Sequence, residues 1–184
     1  STIKLFSMIT VPFYTLLLTE KTNIALIHGD ITRQTEFYVK TLGTIDVVII
    51  DSFGGIVKNA LNIIDYLNKT NKNYTCIAKK AHSAAFVILQ ACPHRIISKK
   101  DKYFLSYHQC YRYEGRYKIY DHTIHDCKKT NKIVQDRIGV DIKQYIANGN
   151  NWNIDNQDLE QYSIVDVLSD DSVLNDVTDF LLLR

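Results

Sequence analysis

The sequence predicts an α/β fold with a largely parallel sheet. Two short, mostly apolar runs, 45–50 and 74–78, have the length and composition of strands buried on both faces. Between them, residues 56–67 set Ile56, Ala60, Ile63, Ile64 and Leu67 on one helical stripe. Strands that alternate with helices in this way favour parallel pairing through helical crossovers.

The remaining elements follow in order. Residues 23–28 (Asn-Ile-Ala-Leu-Ile-His) read as a strand ending at Gly29-Asp30, and 32–42 as a helix closed by Gly43. Gly54-Gly55 makes a tight turn after the 45–50 strand, whose apolar run only Asp46 breaks. Residues 82–91 form a compact, almost wholly apolar helix stopped near Cys92-Pro93. Two short strands, 95–98 and 103–108, flank a polar turn. A long polar helix is expected over 118–137, a further helical turn over 142–147, and an Asn-rich loop over 148–153. Asp155 is placed to cap a helix that starts at Asn156.

Composition narrows the function. The chain has 184 residues, 46% of them apolar and 23% charged, which suits one domain with a real core and an ordinary soluble surface. A net charge of +2, with scattered basic residues, gives no strong attraction to nucleic acid or to a membrane surface. Residues 5–18 are apolar-rich, but Pro12 interrupts the run and it is too short to span a bilayer. It also lacks the basic start and small-residue cleavage site of a secretory signal, so 1–22 reads as a structured or partner-contacting arm. Cys76, Cys92, Cys110 and Cys127 are far apart and are expected to be reduced and buried, in a cytoplasmic setting. His122-x-x-His125-x-Cys127 holds metal-ligand residue types, but no second matching pair exists, and a polar helix face is the preferred reading.

The chemistry sits in three segments. Ser83 lies among small residues in Lys80-Ala81-His82-Ser83-Ala84-Ala85, and His108 follows 25 positions later on an apolar strand. A serine hydroxyl becomes nucleophilic when a base takes its proton, and histidine is suited to that at neutral pH. At a helix start, the Ala84 N–H and the helix dipole meet the same point as Ser83. Gly55, in Ser52-Phe53-Gly54-Gly55, has no side chain to obstruct approach to its N–H. Each piece also has a plain structural reading: Ser83 as an N-cap, His108 as a core histidine, Gly54-Gly55 as a βα turn. No G-x-G-x-x-G or G-K-[ST] loop is present, so no nucleotide cofactor is expected.

Taken together, the segments resemble the proteolytic subunit of the Clp protease, ClpP, within the ClpP/crotonase fold. Asp51-Ser52-Phe53-Gly54-Gly55 is similar to that family's N-S-P-G-G turn, and Ala81-His82-Ser83-Ala84-Ala85 to its A-A-S-M-G/A nucleophile segment. Tyr107-His108-Gln109 is similar to its I-H-Q segment, and residues 160–166 (Glu-Gln-Tyr-Ser-Ile-Val-Asp) to its E-Y-G-L-I/V-D segment. The resemblance covers about residues 23–168. It implies an α/β fold of repeated β-β-α units with a protruding handle, here about 109–138, in one peptidase domain over 1–184. It implies Ser83 as nucleophile, His108 as base, and Gly55 and Ala84 as oxyanion donors. It further implies unfolded polypeptides as substrates, stacked heptameric rings, and a separate AAA+ unfoldase that uses ATP.

The chain departs from the family pattern in places. Counting back from Val165-Asp166, the third catalytic position falls on Asn151, or on Asn150 with one residue of slippage. An Asn carbonyl accepts a hydrogen bond from imidazole but cannot stabilise imidazolium as a carboxylate does. Asp155 and Asp141 are the other carboxylates considered for that place. Phe53 replaces the family's Pro, and Cys110-Tyr111-Arg112-Tyr113 replaces its Pro and Gly pair. Two alternatives stand beside an active peptidase: a weak or inactive Clp-like subunit of a mixed ring, which Asn151 favours, and a crotonase-type acyl-CoA enzyme, in which a Ser83–His108 pair has no evident task. A phage maturation protease is a branch of the first reading.

Overall fold

In a computed structural model, which describes residues 5–11, 14–120 and 124–182, the apolar runs become the centre of a mostly parallel sheet. Strands β1 (Leu5–Val11) and β2 (Tyr14–Thr19) pair as an antiparallel hairpin, so the 1–22 arm is structured where it is described. The main sheet begins with β3 (Ile24–His28), followed by helix α1 (Arg33–Thr41), β4 (Val47–Ser52) and α2 (Val57–Thr70). Next come β5 (Thr75–His82), α3 (Ala84–Ala91), β6 (His94–Ser98) and β7 (Phe104–His108). A second hairpin, β8 (Tyr111–Glu114) and β9 (Tyr117–Tyr120), precedes α4 (His125–Ile138) and α5 (Lys143–Ile146). The described chain ends through β10 (Asn151–Asn153), α6 (Asn156–Gln161), β11 (Val167–Ser169) and α7 (Val173–Leu182).

The sheet runs β3-β4-β5-β7-β10, with β6 also beside β5 and β11 beside β6. All these pairings are parallel except β7 with β10. Strand β5 divides its partners. Thr75, Cys76 and Ile77 pair with β6, whereas Lys80, Ala81 and His82 pair with β7. Against β4 the register runs Ile50 to Ala78 and then Asp51 to Lys80, so Lys79 is an extra residue, a bulge.

Alternation along the strands supplies two cores. Ala25, Ile27, Val48, Ile50, Cys76 and Ala78 face a cluster that also takes in residues of α1, α2, α3 and α4. Ile24, Val47, Ile49 and Ile77 face the other way and meet Leu18 of β2 and Val173, Val177 and Phe180 of α7. A period of two is what a pleated strand requires when both faces are covered.

A buried polar cluster fastens the C-terminal segment. Arg95, 1% exposed, donates from Nε to Asp166 Oδ2 at 3.0 Å, from one terminal nitrogen to Asp166 Oδ1 at 2.8 Å, and from the other to Gln90 Oε1 at 2.6 Å. Gln90 Nε2 in turn donates to the Ile164 carbonyl at 3.0 Å. Burial works to raise the Asp166 pKa, but the Arg95 hydrogen bonds and charge outweigh it and hold the carboxyl below its usual range.

Several sequence expectations are corrected. The four cysteines are paired, Cys76 with Cys92 and Cys110 with Cys127, with Cα atoms 6.0 and 5.6 Å apart. They are not the reduced, isolated thiols that their wide spacing suggested, and cysteine usage no longer argues for a reducing compartment. The first pair ties β5 to the end of α3, and the second ties the residue after Gln109 to the first turn of α4. The helix expected over 118–137 begins only at His125. The residues before it form β8–β9, where aromatic side chains favour a strand and Gly115, at φ 62°, turns it. Where it is described, the 109–138 segment expected as a handle holds a hairpin followed by a helix. Ile56 is 54% exposed because its backbone is extended, outside the helix, so the helical stripe begins at Ala60. The loop expected over 148–153 closes into strand β10 at Asn151. Among the described residues no helix is long and apolar enough to cross a membrane.

Candidate active site

Strand β5 delivers Ser83 into a tight strand-to-helix turn. Ser83 has φ 58° and ψ −122°, a conformation that costs a non-glycine residue about 1–3 kcal/mol. Its N–H donates to the Ser106 carbonyl of β7 at 3.0 Å, and its carbonyl accepts from Phe86 N–H at 3.0 Å. The side chain makes no capping hydrogen bond. The hydroxyl is therefore not spent on the N-cap role that would explain it structurally, and the strain presents it at the start of α3.

Two glycines approach this turn. Gly54, at φ 102°, lies so close that a Cβ there would meet Ser83 Cβ at 2.9 Å and Ala84 N at 3.0 Å. Gly55 is packed against the Ile31 backbone, where a Cβ would meet Ile31 N at 2.6 Å. Ser52 fixes the turn by donating its hydroxyl to the Gly29 carbonyl at 2.5 Å and accepting Gly54 N–H at 3.0 Å. The bridge to Ile31 uses the Gly54 carbonyl and the Ile56 N–H, which leaves the Gly55 N–H out of it. Ala84 N–H opens α3 and has no earlier helical carbonyl to bond.

His108 reaches the same place on the neighbouring strand. His82 pairs with Ser106, so His108 stands two residues beyond the partner of His82, the residue just before the nucleophile. Gly55, Ser83, Ala84 and His108 line one cleft of about 790 Å³, with Phe53, His82, Tyr111 and Cys110. His108 Nδ1 lies 2.8 Å from the Gln109 carbonyl oxygen, and its ring stacks on Tyr111 with centroids 5.6 Å apart.

Asn151 lies directly opposite His108 in the antiparallel β7–β10 pair. Directly opposed residues project to the same sheet face, so the register sets Asn151 beside the imidazole. No hydrogen bond joins the two side chains, and Asn151 is exposed. Asp155 caps α6 by accepting Asp158 N–H at 2.8 Å, and Asp141 accepts Lys143 N–H at 3.1 Å, so both alternative carboxylates are occupied at other points. His122 lies outside the described residues and Cys127 is in a disulfide; no group of three metal-ligating side chains occurs among the described residues.

Three features were not foreseen. His82 belongs to β5 and not to the helix, and its ring stacks on Phe104 at 5.7 Å and lies 5.3 Å from that of His108. Burial, and then the neighbouring His108 charge, lower its pKa, which favours the neutral ring. Phe53, Phe104, His82, His108 and Tyr111 form a run of adjoining rings, all of which but Phe104 line the cleft. The aromatic residues were visible in the sequence, but their adjacency depends on β5 pairing with β7. The third feature is a link from β7 to α4: Tyr107 Oη donates to Asn131 Oδ1 at 2.7 Å, and Asn131 Nδ2 donates to Gln109 Oε1 at 3.1 Å.

No family model matches this chain, and no curated protein matches it in sequence. A solved structure does match: an Asn-to-Asp mutant of ClpP1 from Listeria monocytogenes, with a TM-score of 0.65 over 82% of this chain and 92% of that one. The fold is ClpP-like. At 17% identity the likeness extends to the fold and no further. The α/β class with a largely parallel sheet, read from the sequence, is that of the structure.

Proposed function

We propose that this chain is a serine peptidase of Clp type, acting on unfolded polypeptides through an acyl-enzyme. The observation that carries the reading is Ser83 itself. Its backbone is strained, its hydroxyl has no capping duty, and it shares a cleft with His108 and with two amides left out of the surrounding secondary structure. In this reading Ser83 Oγ attacks the scissile carbonyl carbon while His108 takes its proton. The Gly55 and Ala84 N–H groups hold the tetrahedral oxyanion, a contribution of about 2.7–4 kcal/mol for each donor in well-studied cases. Collapse expels the amine, which leaves with the proton from His108, and water then hydrolyses the ester. Asn151 occupies the third position beside the imidazole.

The ClpP-like fold supports a single peptidase domain over 1–184, self-association into heptameric or paired heptameric rings, and feeding by an AAA+ unfoldase. Cytoplasmic residence accompanies that reading, and the two disulfides are the groups a reducing compartment would open.

A fluorophosphonate probe tests the chemistry. One adduct per chain is expected on Ser83, absent in Ser83→Ala and strongly slowed in His108→Ala. No labelling of assembled protein anywhere from about pH 6 to about pH 9 refutes an active site of this kind. Native mass spectrometry addresses the ring, and a stable monomer refutes it. The Asn at position 151 favours a second reading, a ring subunit with weak or no activity. Correct rings without Ser83 labelling would establish that one.

A further inference from the structure

We infer that the group fixing the His108 tautomer is the main-chain carbonyl of Gln109, and that Asn131 and Gln109 are the positioning residues that hold it there. The inference rests on the peptidase reading for its meaning and refines it by replacing Asn151 in the orienting role.

A carbonyl oxygen only accepts. The 2.8 Å contact between His108 Nδ1 and the Gln109 oxygen therefore requires the proton on Nδ1, which leaves Nε2 as the basic nitrogen. A general base opposite a serine hydroxyl needs that tautomer. Asn151, although opposite in register, makes no hydrogen bond to the ring.

A carbonyl one residue along a strand end is useful only if that peptide is immobile, and three links immobilise it. Before it, Tyr107 is 2% exposed and its hydroxyl donates to Asn131 Oδ1 at 2.7 Å. At it, Gln109 Oε1 accepts Asn131 Nδ2 at 3.1 Å. After it, Cys110 is bonded to Cys127 on α4. Asn131 lies one turn beyond Cys127 on that helix, so α4 grips residues 107, 109 and 110 together. On the other side of the grip, Gln109 and Asn131 line a second cleft of about 800 Å³.

Nitrogen-15 NMR of histidine-labelled protein reads the tautomer directly and needs no turnover; His108→Gln assigns the signals. Wild type is expected as the Nδ1–H tautomer, and Asn151→Ala leaves it so. Asn131→Ala and Gln109→Met are expected to give a mixture of tautomers and to slow Ser83 labelling at least about tenfold, with its pH midpoint displaced. Gln109→Glu keeps an acceptor for Asn131 and is expected to retain the wild-type tautomer. Tyr107→Phe combined with Asn131→Ala should cost no more than Asn131→Ala alone, because the two act through one link. An Nε2–H tautomer in wild type, a change on Asn151→Ala, or an unchanged signal in both Asn131→Ala and Gln109→Met overturns the inference. If the tautomer is as expected while Ser83 never labels, the peptidase reading fails and the positioning stands.

Discussion

Replacing Gly54 with alanine tests the geometry around Ser83 most sharply. The added Cβ would lie 2.7 Å from the His82 carbonyl oxygen, 2.9 Å from Ser83 Cβ and 3.0 Å from Ala84 N. All three belong to the nucleophile turn, and two are backbone atoms that no rotamer change can move aside. The φ of 102° adds strain of about 1–3 kcal/mol for a residue with a Cβ. Overpacking a close contact of this kind costs about 1–3 kcal/mol more. The sum, about 2–6 kcal/mol, is comparable with much of a domain's stability, and at about 2–4 °C per kcal/mol it lowers Tm by roughly 4–24 °C. Whatever relaxation occurs must push Ser83 or Ala84 away from Gly55. A displacement near 1 Å at a reacting group costs about 100-fold in rate. Circular dichroism at low temperature should show the fold intact, and fluorophosphonate labelling of Ser83 should fall by about that factor. Gly115→Ala is the control: its φ is 62°, but a Cβ meets nothing within 4 Å, so it should cost about 1 kcal/mol and leave labelling unchanged. Wild-type Tm and labelling in Gly54→Ala would refute the close packing of this turn on the nucleophile.

Three further outcomes follow from the same structure. Asp166→Asn should destabilise at neutral pH and flatten the acid limb of the stability profile. The folded pKa of Asp166 is below its unfolded value, so its contribution is present above about pH 4 and is lost as pH falls through the folded value; urea midpoints at several pH values read this. His82 has a lowered pKa, so the unfolded chain binds the proton more readily. Stability should therefore fall as pH drops below about 6.5, and His82→Phe, which keeps the stack on Phe104, should remove part of that slope. Under mild reductant, Cys110–Cys127 should open before Cys76–Cys92, because Cys76 and Cys92 are both 0% exposed while Cys110 lines the cleft. Alkylation and mass spectrometry give the order, and loss of the 17-residue link should cost about 3 kcal/mol.

The readable part of the fold was the part governed by burial. Ile49 and Ile50 lie in a strand covered on both sides, and Ala60, Ile63, Ile64 and Leu67 on one helical face, so hydrophobic periodicity located both elements. Ser83, Ala84 and Gly55 stood out because a serine among small residues and a Gly-Gly pair mark tight turns, and the structure brings those turns to one cleft. The end of the hairpin, residues 118–120, was misread as the start of a helix because exposed strands carry little periodic signal, and polar residues among its tyrosines blurred what remained. The end of β5 was misassigned for a related reason: Lys79 and Lys80 interrupt its apolar run although the ladder continues to His82. The disulfides depend on β5 lying beside α3 and on β7 ending beside α4, contacts that sequence spacing does not encode. The tautomer-fixing carbonyl was invisible because every residue has one, and only geometry selects which is used.

The bulge at Lys79 has a bearing on how this site arose. Below it, Cys76 and Ala78 point into the larger core; above it, Ala81 does, and the alternation has changed phase by one residue. Were the same residues paired in a regular ladder without the bulge, Lys80 and His82 would point into the interior and Ala81 would face the rings of Phe53 and Phe104. Ser83 would also advance about 3.3 Å along the strand, out of step with Gly54. Deleting Lys79 would therefore remove the bulge and leave Asp51 paired with Lys80 and Ala81 inward, whereas a further residue inserted there without a second bulge would reverse which of Ala81 and His82 faces the core.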